Sequence, residues 1–118
     1  MSDGYWYVAS PYSKYHAGIM AAYSATLREV VRLVKSGASV FSPIIHSHPI
    51  AIRGGIDALD VNFWVSFDRP MMETAKGCIV LQLDGWDKST GVAHEIEYFR
   101  KAGKPVVFME RGNVPEIM

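Results

Sequence analysis

The segment that most constrains the fold is residues 77–110, GCIVLQLDGWDKSTGVAHEIEYFRKAGKPVVFME. An apolar run from Cys78 to Leu83 ends in a polar turn, a helical pattern begins near Gly91, and a second apolar run follows Pro105. This order of strand, loop, helix and strand is the unit from which parallel sheets are built. Ligands of such sheets bind outside the carboxyl ends of the strands, so the polar turn and the helix start are the predicted position of a functional site.

Glu95 is the residue of this helix whose position favours a functional role. At about 100° per residue, Val92, Ile96 and Phe99 form one apolar stripe, and Glu95 lies at its border. A carboxylate there is partly desolvated, while the N–H groups and the dipole of the helix start favour its ionised form. The alternative interpretation is a glutamate that only complements the helix dipole.

The rest of the chain continues the alternation of strand and helix patterns. The strand patterns before residue 77 cover residues 5–9 and 39–42, and the helical patterns cover residues 18–36 and 60–76. The sequence therefore predicts one α/β domain over residues 1–118. We expect a small doubly wound parallel sheet of about four strands in the order 2-1-3-4, with helices on both faces.

Three segments interrupt this regular alternation. Residues 43–58 contain two prolines and a Gly-Gly pair and are interpreted as a long loop. Pro70 predicts a kink or a fresh helix start near Asp68. Residues 111–118 are interpreted as a loose tail.

Composition limits the classes of function. The chain has 118 residues and a formal net charge of zero, which argues against binding to polymeric nucleic acid, because such proteins carry a basic face. No apolar segment approaches the ~20 residues that span a bilayer, and the N-terminus lacks a signal-peptide pattern. The single cysteine, Cys78, can form no internal disulfide. We therefore expect a cytoplasmic protein that binds neither nucleic-acid polymers nor membranes.

Three motifs follow one another over nearly the whole chain. They are Tyr7-Val8-Ala9-Ser10-Pro11, Trp64-x3-Asp68, and Ser89-Thr90-Gly91-Val92-Ala93-His94-Glu95 followed by Gly103-Lys104-Pro105-Val106. The first resembles the opening strand motif Tyr-x-Ala-Gly-Pro of the nucleoside 2-deoxyribosyltransferase superfamily. The second resembles the segment before the third strand of that superfamily, and the third resembles its Gly-x3-Glu signature. The chain is most similar in this respect to the small bacterial and phage members of undefined function.

The resemblance implies an activity and three catalytic roles. In that superfamily a glutamate attacks the anomeric carbon of a deoxyribosyl group, a first-strand tyrosine orients it, and an aspartate binds or protonates the sugar and base. These roles fall on Glu95, Tyr7 and Asp68. The Ser-x-Gly-x3-Glu form is similar to the branch that acts on deoxynucleoside 5'-monophosphates, which implies that Ser89 and nearby N–H groups hold the phosphate. Ser10 departs from the pattern, since the family motif has glycine there.

The residue types suit this chemistry independently of the resemblance. Breaking an N-glycosidic bond needs a carboxylate to capture positive charge on the sugar and a proton donor for the departing base. Glu95 can supply the carboxylate. Asp68, Asp84 or Asp87 can supply the proton if crowding of carboxylates raises its pKa.

A further set of residues around these groups is predicted to contact the substrate. The predicted substrate-binding residues are Ser10, Pro11, Tyr12, Asp84, Trp86, Asp87, Ser89 and Gly91. Trp86 and Tyr12 can stack on a base. The alternative for Trp86 is packing on the rim of the domain.

Two weaker patterns concern metals and partners. His46-x-His48 offers two ligands without a third at suitable spacing, so we expect loop polar groups, for which a position near the substrate is open, and no metal and no cofactor. Phe63, Trp64 and Phe67 form an aromatic cluster that is predicted to lie mostly in the core and partly on a dimer surface. A homodimer or larger homo-oligomer is therefore expected.

The sequence predicts an N-glycosidic-bond enzyme that binds a small-molecule nucleoside or nucleoside 5'-monophosphate. The enzyme either hydrolyses the bond or transfers the sugar to another base. Two other classes remain open: a non-catalytic module that binds or senses nucleotides, and a structural interaction domain in which Glu95 is only a helix-start residue.

Overall fold

A computed structural model describes residues 4–117, which form an α/β domain with one parallel sheet. In chain order the elements are β1 (Trp6–Ala9), α1 (Ile19–Lys35), β2 (Val40–Phe41), α2 (Pro43–Gly54), α3 (Val61–Thr74), β3 (Gly77–Leu81), a 3₁₀ turn (Trp86–Lys88), α4 (Thr90–Lys101) and β4 (Val106–Met109). The four strands lie in the order β2-β1-β3-β4, and all neighbours are parallel. The predicted fold class and strand order are confirmed. Residues 1–3 and 118 of the predicted domain lie outside the described residues.

The strand pleat directs alternate side chains of β1 to two hydrophobic cores. Trp6 and Val8 belong to the core covered by α1, and Tyr7 and Ala9 to the core covered by α3 and α4. All four side chains are buried. The helices therefore lie on both faces of the sheet, and Tyr7 points to the face that α4 covers.

The segment after β2 is a helix, so the prediction of a long loop over residues 43–58 is wrong. Ser42 is the N-cap of α2, and its Oγ accepts a hydrogen bond from the backbone N–H of Ile45 at 3.2 Å. Pro43 occupies the first helical position, where its missing N–H leaves no bond unmade. Gly55 ends the helix with a left-handed φ of 66°. The proline and glycine at the two ends of the segment are helix boundary signals, and the helix tolerates Pro49 in its interior.

The helix α3 continues through Pro70, so the predicted fresh start near Asp68 is not observed. Its N-cap is Asp60, whose Oδ1 accepts from the N–H of Phe63 at 3.3 Å. The aromatic side chains of α3 point outward more than predicted: Phe63 is 46% exposed and Phe67 is 37% exposed. The prediction that this cluster lies mostly in the core is therefore wrong.

The C-terminal segment packs against α1. Glu29 of α1 is fully buried, and its Oε1 accepts from the N–H of Gly112 at 2.7 Å. Val114 and Ile117 pack on the core beneath α1. Through residue 117 this segment is thus part of the fold, and the expectation of a loose tail is wrong.

Length and apolar character together identify helices that can cross a bilayer. None of the helices within residues 4–117 has enough of both to do so.

Candidate active site

A cavity of about 810 Å³ lies beside the carboxyl end of β1, between α2, α3 and the N-terminus of α4. In parallel sheets this edge is where ligands bind, because the strand order reverses there and leaves a crevice. The cavity volume falls in the range of small-molecule sites. The polar side chains that line it come from Tyr7, Ser10, Tyr12, Ser13, Ser47, His48, Asn62, Trp64, Ser66, Asp68, Arg69, Ser89, Thr90, His94 and Glu95.

Tyr7 and Glu95 meet in this cavity. The Tyr7 hydroxyl donates a hydrogen bond to Oε2 of Glu95 at 2.7 Å. The Tyr7 ring is fully buried, with the rings of Phe41 and Phe99 at centroid distances of 6.1 Å and 5.6 Å. Burial raises the pKa of Tyr7 far above its usual value, and the charges of Glu95 and Asp68 raise it further. Tyr7 therefore keeps its proton and remains a donor to Glu95.

The Glu95 carboxyl is held in its protonated form more strongly than the sequence suggests. Desolvation by burial raises its pKa to about 8, the hydrogen bond from Tyr7 lowers it, and the charge of Asp68 raises it. At neutral pH about one molecule in ten carries an ionised Glu95. The expectation that the helix start keeps this carboxylate ionised is therefore wrong, because burial outweighs the nearby N–H groups.

Asp68 is the second carboxyl group of the cavity. It lies on α3, and desolvation raises its pKa to about 6. Its Oδ1 is buried and has no hydrogen-bond partner among the described residues. A buried oxygen without a donor is unfavourable, so this atom is suited to accept a hydrogen bond from a ligand. Two carboxyl groups whose pKa values are pushed apart are typical of acid–base sites.

The N-terminus of α4 forms another part of the cavity wall. Ser89 is the N-cap, and its Oγ accepts from the N–H of Val92 at 3.2 Å, which leaves the hydroxyl proton free to be donated. Thr90 and Gly91 follow it in the wall. A side-chain Cβ at Gly91 would meet no atom closer than the Ser89 Oγ at 3.8 Å, so the glycine leaves this surface open.

The structure brings only part of the predicted site together. Tyr7, Ser10, Tyr12, Asp68, Ser89, Gly91 and Glu95 line the cavity, whereas Pro11, Asp84, Trp86 and Asp87 are not among the lining residues. Pro11 is buried and Asp87 is exposed.

The loop after β3 lies away from the cavity wall. Asp84 is exposed and its Oδ2 is 3.0 Å from Nδ1 of His16. Gly85 has a φ of 89°, and a Cβ there would be 2.3 Å from the carbonyl oxygen of Lys14, so the turn is in close contact with the loop after β1. Trp86 packs on Phe108 at a centroid distance of 5.6 Å, which is the alternative role weighed for it.

Several cavity residues were not predicted as site residues. His48 and Ser47 belong to α2. The sequence leaves a position near the substrate open for His48, but the interpretation of this segment as a loop gives neither residue a defined place in the site. His46 faces elsewhere, stacked on Phe67 at a centroid distance of 5.6 Å. Within residues 4–117, no group of three or more His, Cys, Asp or Glu side chains is placed to hold a metal ion.

Comparisons with known proteins identify a family without a described activity. A search among curated proteins found no match. Residues 4–111 match the family described as a domain of unknown function (DUF1937), and because the match covers most of the chain, the protein belongs to that family.

Proposed function

We propose that the protein cleaves the N-glycosidic bond of a nucleoside or a nucleoside 5'-monophosphate, by hydrolysis or by transfer of the sugar to another base. The single observation that carries the proposal is the hydrogen bond of 2.7 Å between Tyr7 and Glu95 in a cavity that Asp68 also lines. Cleavage of a glycosidic bond uses two carboxyl groups, one as the nucleophile and one with a raised pKa as the acid.

In the proposed reaction the Glu95 carboxylate attacks the anomeric carbon of the sugar. Tyr7 holds Oε2, and the other oxygen, Oε1, attacks the sugar. As the bond between the anomeric carbon and the base breaks, its electron pair goes to the base nitrogen and the Asp68 carboxyl donates a proton to the base. Water or a second base then attacks the anomeric carbon, the bond to Glu95 breaks and regenerates its carboxylate, and Asp68 takes up the proton that the water or the N–H of the second base loses.

The start of α4 supports a 5'-phosphate on the substrate. Ser89, Thr90 and Gly91 line the cavity at a helix N-terminus, where free N–H groups and the helix dipole attract an anion. A nucleoside 5'-monophosphate would place its phosphate there and its anomeric carbon at Glu95.

A non-catalytic module that binds or senses nucleotides is the second candidate function. The observation that favours it is the pKa of about 8 for Glu95, because a mostly protonated carboxyl is a poor nucleophile but a good hydrogen-bond donor. Such a module would bind nucleotides without turnover.

The working unit is proposed to be a cytoplasmic homodimer or larger homo-oligomer. Its support is the apolar surface along α3, where Val61 is 68% exposed and Phe63 is 46% exposed. Exposed apolar side chains that cluster on one element are typical of protein contacts.

The test is base release or base exchange from deoxynucleosides and their 5'-monophosphates. Wild type should react and Glu95→Gln should lose activity by several orders of magnitude while remaining folded, because the amide keeps the shape and removes the nucleophile. Glu97→Gln is the matched control, since Glu97 lies on the same helix and its Oε2 is 3.5 Å from Nζ of exposed Lys101. Equal activity of wild type and Glu95→Gln would contradict the proposed reaction. Binding of nucleotides without turnover by wild type would favour the sensing module.

A further inference from the structure

The polar cavity residues that have no part in the proposed cleavage include Tyr12 on the loop after β1 and Ser47 and His48 on α2. His48 is 4% exposed and Ser47 is 9% exposed. The Tyr12 hydroxyl lies 2.5 Å from Nδ1 of His48. These three residues, called here the His48 group, form a wall of the cavity that carries no formal charge.

The hydrogen bond to Tyr12 determines where His48 carries its proton. Burial lowers the pKa of His48, so the ring is neutral, and burial raises the pKa of Tyr12, so the phenol keeps its proton. A phenol is the stronger donor and an imidazole nitrogen the stronger acceptor, so the Tyr12 hydroxyl donates to Nδ1. The ring proton of His48 then lies on Nε2.

The orientation of the His48 ring is held by its neighbours. Its ring stacks on Tyr23 of α1 at a centroid distance of 4.5 Å and an interplanar angle of 23°. Because Nδ1 is engaged by Tyr12, Nε2 is the ring nitrogen from which His48 can donate to a ligand. Ser47 Oγ is buried and lacks a partner in the described part of the chain. Both residues line the cavity, so a ligand can satisfy both groups.

We infer that the His48 group recognises the heterocyclic base of the substrate, with Nε2–H of His48 donating to a ring nitrogen of the base and Ser47 forming a second hydrogen bond. This inference rests on the proposed function, which assigns the sugar to Glu95 and Asp68 and the phosphate to the start of α4. Neutral hydrogen-bonding groups held by aromatic rings suit an uncharged heterocycle.

The experiment compares the binding of natural ligands with that of analogues lacking one ring nitrogen. Calorimetry on Glu95→Gln, which leaves the substrate intact, measures Kd for deoxynucleoside 5'-monophosphates and for their 7-deaza and 3-deaza purine and 3-deaza pyrimidine forms. One natural ligand should bind about 10- to 100-fold more tightly than one of its deaza forms, because the analogue offers no acceptor to the Nε2–H of His48.

His48→Phe in the same background keeps the stacked ring and removes the donor. It should weaken the natural ligand about 10- to 100-fold and make the natural and deaza forms bind equally. Tyr12→Phe should reduce the discrimination, because the proton of His48 is then free to move to Nδ1. His46→Phe is the matched control, since its ring lies two residues away on α2 and stacks on Phe67, and it should leave the Kd ratio unchanged.

The outcomes separate this inference from the proposed function. Base recognition by His48 is overturned if Glu95→Gln binds every natural ligand and its deaza forms equally. It is also overturned if adding His48→Phe leaves the Kd ratio of the two forms unchanged, even if the enzyme cleaves nucleotides. If His48→Phe abolishes the preference for natural over deaza ligands and wild type cleaves no nucleotide, the inference is supported and only the enzymatic function is contradicted. Absence of binding by every nucleotide overturns both.

Discussion

Removing the Tyr7 hydroxyl should change the pH dependence of catalysis in a defined direction. Tyr7→Phe keeps the buried ring and its packing on Phe41 and Phe99, and it removes the hydrogen bond of 2.7 Å to Glu95. That bond lowers the pKa of Glu95, so its loss should raise the pKa above about 8. A hydrogen bond to a charged group contributes about 1.5–3 kcal/mol, which corresponds to about one to two pKa units.

The size of the change in kcat/KM depends on whether Glu95 or Asp68 is protonated at a given pH. The proposed reaction needs Glu95 ionised and Asp68 protonated. With a pKa of about 6 for Asp68 and about 8 for Glu95, wild-type kcat/KM should be bell-shaped with limbs near those values. Between the limbs most of the protein holds the proton on Glu95, and only about one molecule in a hundred has the reactive arrangement. Tyr7→Phe should move the alkaline limb up by about one to two units and lower the maximum about 10- to 100-fold.

The assay is kcat/KM for base release between about pH 5 and pH 10. At high pH the two proteins should converge, since both then carry ionised Glu95 and differ little in the protonated fraction of Asp68. Tyr5→Phe is the control, because the Tyr5 hydroxyl contacts the carbonyl oxygen of Met71 and Oγ1 of Thr74 and does not reach Glu95. An alkaline limb that stays in place in Tyr7→Phe, or a loss of rate equal at every pH, would refute the reasoning.

Three further predictions concern stability and assembly. Because the folded-state pKa of Glu95 is raised from 4.5 to about 8, its contribution to stability is fully present below about pH 4.5 and is lost as the pH rises through 8, by up to about 5 kcal/mol. Glu95→Gln should therefore raise Tm relative to wild type by an amount that grows between about pH 4.5 and pH 8 and is constant above that range, and a pH-independent Tm difference would contradict this. Ser42→Ala removes the N-cap bond to Ile45 and should lower the free energy of unfolding by about 1 kcal/mol in urea titrations, whereas no loss would argue against the capped start of α2. Phe63→Ser with Phe67→Ser should shift sedimentation toward the monomer at micromolar concentration, and a wild-type monomer would exclude the proposed oligomer.

The fold could be predicted because strand and helix periodicities alternate along the chain, and parallel connections leave few possible strand orders. The same argument brings Tyr7 and Glu95 to one edge of the sheet, although they are 88 positions apart in sequence. The helix α2 could not be predicted, since Pro43 and Gly55 also mark loops, and only the Ser42 cap and the chain direction distinguish the two.

Two properties of the site could not be predicted from the sequence: the pKa of Glu95 and the position of the loop after β3. The pKa of Glu95 depends on how completely other elements of the fold enclose the carboxyl, and helix position alone does not determine that burial. The turn at Gly85 contacts the loop after β1, which keeps Asp84 and Trp86 out of the cavity wall. A polar turn at the correct edge of a sheet is therefore a weaker predictor of contact with a ligand than a helix start or a strand residue beside it.

The most direct test of the central claim is to trap the sugar on Glu95. Wild type mixed with a deoxynucleoside 5'-monophosphate and quenched within the first turnover should carry the mass of the deoxyribosyl phosphate on the tryptic peptide of residues 89–100. Fragmentation should place this mass on Glu95 and leave Glu97 unmodified, and Glu95→Gln should carry none. Base release at full rate without a modified peptide, or with the mass on Glu97, would contradict the assignment of Glu95 as the nucleophile.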